Sequence, residues 1–152
     1  MPNTPAAVGR GITVCCANAR AGAGDRALAD VLLAAVGLVD WVEAEALIDA
    51  VTAVSGGGPA YVFLLIECLA KAGEEAGLPA DLAMRLARTT VAGAGELARL
   101  SDEPPATLRQ NVTSPGGTTL EALNVLLKDD AMQRLFARAL DAAIRSSREL
   151  AD

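Results

Sequence analysis

The sequence predicts a mainly α fold: a run of helices preceded by a short strand–helix–strand piece of α/β character. Three observations predict it. Hydrophobic residues make up 52% of the 152 positions but aromatics only 3%, so the core must be built from Ala, Leu and Val, of which Ala and Leu favour helix. The two strand-like stretches both fall within the first forty-odd residues. From Glu45 onward, apolar residues recur at helical spacing in one segment after another.

Residues 11–18, "GITVCCAN", are short, β-branched and bounded by Gly and Asn, which predicts a strand. Residues 25–37, "DRALADVLLAAVG", carry a capping Asp25, helical apolar spacing and a terminal Gly37, which predicts a helix. Residues 38–43, "LVDWVE", alternate as a second strand would. Strand, helix, strand is how an α/β domain ends, and two strands alone make a poor sheet, so this part reads as a piece of something larger. A short helix is expected over 45–54, broken by "SGGGP", with Pro59 opening the next at a position where proline is tolerated. In "PAYVFLLIECLAKAGEEAG" the polar Glu67, Lys71, Glu74 and Glu75 share one narrow face, as in a helix buried on several sides; Gly77 and Pro79 end it. Residues 81–100 form a helix with Asp81 as N-cap, Arg85, Arg88 and Arg99 on its wet face, and a centre, "VAGAG", almost without side chains. Glycine inside a helix costs roughly 0.5–1 kcal/mol relative to Ala, so a neighbouring helix or a second chain is expected to pack closely there. "SDEPPATL" connects to a new helix start, and helices follow over about 119–127 and 130–150. The last carries a stripe of Met132, Leu135, Phe136, Ala139, Leu140, Ala143 and Ile144, facing a core or a partner.

Composition removes several functions. Net charge is −6 with no Lys/Arg cluster, and histidine is absent. The first argues against nucleic acid as a partner; the second excludes Ser-His-Asp triads, Cys-His pairs and His-based metal sites. Cys15, Cys16 and Cys68 form no CxxC motif; they read as buried thiols in a reducing compartment, and no metal site is expected. No signal peptide is visible, and "SGGGP" interrupts the longest uncharged run, 51–66, so no membrane span is expected and the cytoplasm is the expected location.

The segment that asks for explanation is 111–123, "NVTSPGGTTLEAL". One proline and two glycines allow backbone geometry that other residues resist. Thr118 and Thr119 follow at a helix start, where backbone N–H groups lack partners and the helix dipole is positive. This suits a small anion, a carboxylate or a phosphate. It also suits a plain turn in which Ser or Thr caps the helix, the commoner use of such spacing because turns far outnumber anion sites, and both readings stay open. "SGGGP", 55–59, has the same ambiguity, without the Lys-Ser/Thr ending of a P-loop.

"VTSPGGTTLEAL" is similar to the signature segment of pyrroline-5-carboxylate reductases. "MPNTPAAVGRGITV" resembles the close of that family's nucleotide-binding domain, "LIDAVTAVSGGGPAYVF" its domain-joining helix, and "AGLPADLAMRLARTTVAGAGEL" its next helix. The four segments stand in family order and spacing across nearly the whole chain. The resemblance implies a helical dimerisation domain preceded by a remnant of a Rossmann-type domain: residues 1–43 close the dinucleotide-binding domain, and 44–152 form the substrate-binding and dimerisation domain. It implies an oxidoreductase of proline biosynthesis that transfers hydride from NADPH or NADH to the C=N bond of 1-pyrroline-5-carboxylate, giving L-proline. Carried over by position, Ser114, Gly116, Gly117, Thr118 and Thr119 would hold the substrate carboxylate. Thr119, the catalytic candidate, would also hydrogen-bond the ring nitrogen. Asn111 and Val112 would lie near the nicotinamide, with Asn3, Thr4 and Pro5 at the cofactor-facing end of the sheet. Family members interlock their helices as homodimers and can build rings of dimers; nucleic acid and membrane are not implied partners.

The sequence departs from the family in two places. The glycine-rich turn that carries the cofactor's pyrophosphate is not among these residues, and "RAGAGDRA" at 20–27 follows the wrong strand to replace it. Met1 aligns with a methionine inside the family pattern, which suggests a late start or a fragment, inactive alone. Gly57 stands where the family more often has serine. The alternative is a non-catalytic helical module derived from the family that dimerises without binding nicotinamide.

Overall fold

The computed structural model describes residues 1–151. The chain divides into two compact units. One comprises Met1–Tyr61 together with the chain from Ala137 onward; the other is Val62–Phe136.

In the first unit a 3-10 turn, Thr4–Val8, leads into β1, Gly11–Cys16. Helix α1, Ala23–Leu33, then crosses to β2, Gly37–Val42. The strands pair in parallel, from Gly11↔Gly37 to Cys16↔Val42, an arrangement that needs a crossover of about a dozen residues or more, and α1 lies within it. The expected strand–helix–strand is therefore present, with shifted ends. β1 stops at Cys16 because the Asn18 carboxamide oxygen accepts the N–H groups of Arg20 and Ala21 at 3.0 and 3.1 Å, closing a local turn. Asp25 is not the N-cap: Gly22 is, and Asp25 Oδ2 reaches back to accept the Gly22 N–H at 2.8 Å. The indole N–H of Trp41 on β2 donates to Asp30 at 2.8 Å, and the Arg26 guanidinium lies 5.1 Å over the same ring. Together they pin α1 to the sheet.

The largest departure from expectation follows. "SGGGP" does not break the chain into two helices. A 3-10 turn Glu45–Leu47, helix α2 Ile48–Val51, a π-helical turn Thr52–Gly56 and helix α3 Gly58–Glu75 run on without an intervening loop. The Gly57 N–H reaches back five residues to the Thr52 carbonyl at 2.9 Å. A proline ring inside a regular helix meets the carbonyl four residues before it; widening the turn relieves that conflict at Pro59, and the glycines permit it. The Tyr61 hydroxyl donates to the Ala53 carbonyl at 3.1 Å, at a residue only 2% exposed.

Gly57 is what admits that tyrosine: a Cβ there would stand 2.6 Å from the Tyr61 hydroxyl oxygen. Tyr61→Phe is expected to lower stability by about 1 kcal/mol. Gly57→Ser is expected to displace the same hydroxyl, so the double variant should lose less than the two single losses added. Urea denaturation of the four proteins checks this, and strict additivity would show the two residues to be independent.

The membrane expectation loses its basis with that break. The run Glu45–Glu75 is long and apolar enough, by length and composition, to cross a membrane. Asp49 within it is held by α7 (Ala131–Ala151): Ser147 Oγ donates to its carboxylate at 2.7 Å and Arg148 Nε at 3.4 Å.

In the second unit α3 turns at Gly77 (φ +98°) into α4, Ala80–Leu100. Pro79, not Asp81, is the N-cap, because its extended ψ of 139° already supplies the cap conformation; Asp81 instead pairs with Arg85 at 2.8 Å. Buried Ala70, Ala83 and Ala87 form a small-residue seam, and a Cβ on Gly73 would lie 3.3 Å from that of Ala83. Helices α5 (Pro105–Asn111) and α6 (Thr118–Leu127) follow, with Asp129 and Asp130 both at positive φ before α7.

Beyond such small residues the chain covers little of its apolar surface. α3 was expected to be buried on several sides, yet Phe63 is 60% exposed, and on α4 Leu97 is 67% exposed. Among the described residues nothing lies within 4 Å of where Cβ atoms would sit on Gly93 and Gly95, so no neighbouring described helix fills the centre of α4. Cys68 is exposed and Cys15 and Cys16 half-buried, so the thiols are not core groups as expected.

Candidate functional site

The loop between α5 and α6 is a tight turn. The Gly117 N–H donates to the Ser114 carbonyl at 3.0 Å, closing Ser114–Pro115–Gly116–Gly117. Pro115 takes the second position, where its fixed φ fits. Gly116 takes the third with φ +69°, the combination of a type II turn. Gly117 then swings to extended geometry (φ −83°, ψ 164°) as N-cap of α6. A Cβ on Gly117 would lie 3.1 Å from the Ser114 carbonyl oxygen. The two glycines thus do different work: one adopts a left-handed conformation, the other permits close approach.

With glycine at the cap, no side chain caps α6. The Leu120 N–H turns back to the Gly117 carbonyl at 3.1 Å. Among the described residues, the backbone N–H groups of Thr118 and Thr119 donate to nothing, and the hydroxyls of Ser114, Thr118 and Thr119 make no hydrogen bond. Of the loop hydroxyls only Thr113 is engaged, donating to the Arg109 carbonyl at 2.7 Å. The plain reading, in which Ser or Thr closes the helix end, is therefore not what this loop does. Two unpaired N–H groups, a positive helix end and three hydroxyls stand together at the surface, the donor set a carboxylate needs.

The other candidates divide between the units. Asn111 ends α5, with its carboxamide Nδ2 donating to Glu103 at 3.1 Å, and Val112 follows as an exposed C-cap. Both belong with the loop in the second unit. Asn3, Thr4 and Pro5 belong to the first. There the Asn3 carboxamide accepts the Ile12 N–H at 3.0 Å and donates to Ser55 Oγ at 3.2 Å, so it ties the Thr4–Val8 turn to β1 and to the π-helical turn. Sequence reasoning missed this bond and the Glu103–Asn111 pair. The signal for the former was present, since a glycine run ahead of proline inside an apolar helical pattern marks a widened turn as well as a break.

A parallel strand–helix–strand unit and a run of apolar helices, one of which starts from an open type II turn, define a mainly α domain of the kind that adjoins an α/β domain. The family model described as pyrroline-5-carboxylate reductase dimerisation matches residues 45–150, and the chain belongs to the pyrroline-5-carboxylate reductase family. It is 47% identical over its whole length to the pyrroline-5-carboxylate reductase of Pseudomonas aeruginosa, of which it covers 55%. To that of Synechocystis it is 48% identical over 99% of this chain and 55% of the relative. The solved pyrroline-5-carboxylate reductase of Coxiella burnetii superposes with a TM-score of 0.93 at 43% identity, over 99% of this chain and 55% of that one. A Plasmodium falciparum pyrroline carboxylate reductase with NADP bound gives 0.85 at 34%, over 100% and 62%. The chain thus spans about half the length of the curated relatives it matches.

Proposed function

We propose that this chain supplies the substrate-carboxylate cradle and the dimer-forming helices of a pyrroline-5-carboxylate reductase, the enzyme of proline biosynthesis that reduces 1-pyrroline-5-carboxylate to L-proline. The carrying observation is the pair of unpaired N–H groups at Thr118 and Thr119 beside a type II turn, in a chain of this family. In this reading the substrate carboxylate takes those N–H groups and the hydroxyls of Ser114 and Thr118, with Gly116 and Gly117 setting the backbone that aims them. The Thr119 hydroxyl reaches the ring nitrogen and holds the imine in one orientation. The reduced nicotinamide, NADPH or NADH, supplies the hydride; the protein has only to position the ring carbon and exclude misaligned poses. Asn111 and Val112 border the nicotinamide, and Thr4 and Pro5 border the cofactor from a turn that Asn3 holds in place.

Residues 1–43 close the nucleotide-binding domain in this reading and 44–152 form the substrate and dimerisation domain, in a cytoplasmic homodimer whose interlocked helices cover the open apolar faces. The exposed apolar side chains of α3 and α4, Phe63 and Leu97 among them, support that assembly.

The test is cofactor oxidation dependent on the cyclic imine, measured on the protein as made in its source cell and on the 152-residue polypeptide alone. The expected result is turnover by the first and none by the second, since the pyrophosphate-binding glycine turn is not in this sequence. Turnover by the short polypeptide would overturn its inactivity. A dimeric natural protein without turnover would instead establish the second reading, a non-catalytic helical association module.

A further inference from the structure

We draw no further inference here: the strongest candidate, the open cavity at the carboxyl ends of β1 and β2 that Cys15, Asn18, Arg26, Trp41, Glu43 and Ile48 line, carries nothing, because nothing in the structure shows what fills it.

Discussion

Gly116→Val is expected to remove carboxylate recognition while leaving the helices intact. Gly116 sits at φ +69°, a region that costs a non-glycine residue about 1–2 kcal/mol and a β-branched residue more. The strained alternative is a turn of another type, and that turn cannot keep the Gly117 N–H on the Ser114 carbonyl at 3.0 Å. Once that bond goes, the N–H groups of Thr118 and Thr119 no longer point at one place. Each charge-assisted bond to a carboxylate is worth about 1.5–3 kcal/mol, so losing two should raise KM for the cyclic imine by about a hundredfold or more. Gly117→Ala should be milder, roughly tenfold, because its Cβ needs only a small retreat from the Ser114 oxygen 3.1 Å away. Thr119→Val keeps the backbone cradle and should reduce kcat more than substrate binding. L-proline calorimetry and imine kinetics, with circular dichroism as the folding control, check all three. If Gly116→Val binds proline as well as the wild type, the carboxylate lies elsewhere.

How much of this was legible in the sequence depends on which interaction set the local structure. The turn at 114–117 was legible, because proline and glycine dictate backbone angles by sterics alone, and α6 begins within one residue of expectation. The strand–helix–strand order was legible from β-branched runs around a helical one, and the parallel pairing came with the structure. The continuous run Glu45–Glu75 was not. Its glycines and proline announce a break, and what prevents one is a tertiary set of bonds, from Tyr61 to Ala53 and from Asn3 to Ser55, which no local propensity encodes. The caps at Asp25 and Asp81 failed for a related reason. A carboxylate near a helix start favours either capping or first-turn positions, and the neighbouring Gly22 and Pro79 decided between them. The burial of α3 was misjudged because periodicity reports that a face is apolar, not which chain covers it. Within the site, the residue types were legible, whereas the Glu103–Asn111 pairing spans eight positions through a helix flanked by prolines and leaves no periodic trace.

If the proposed homodimer packs through α4, Gly93→Leu with Gly95→Leu should leave the protein monomeric without unfolding it. Among the described residues the space above both glycines is empty, and leucine is the better helix former by somewhat less than about 1 kcal/mol per site. An isolated chain should therefore gain helix stability from the change. An association surface behaves oppositely. If the partner's helix approaches α4 closely enough to require glycine, each added side chain over-packs the contact by roughly 1–3 kcal/mol. In a two-fold dimer every substitution enters twice. Monomer and dimer share the propensity gain, so four such penalties, about 4 kcal/mol or more, should weaken dimerisation by about a thousandfold or more. Sedimentation equilibrium over a concentration series, with helix content read in parallel, separates the two cases. A monomer of unchanged or higher helicity means that the glycines of α4 are kept for the partner rather than for the fold. A variant that remains dimeric with unaltered affinity would move the interface to the other exposed faces, those of α3 and of α7 around Leu135, and leave the two glycines without a role.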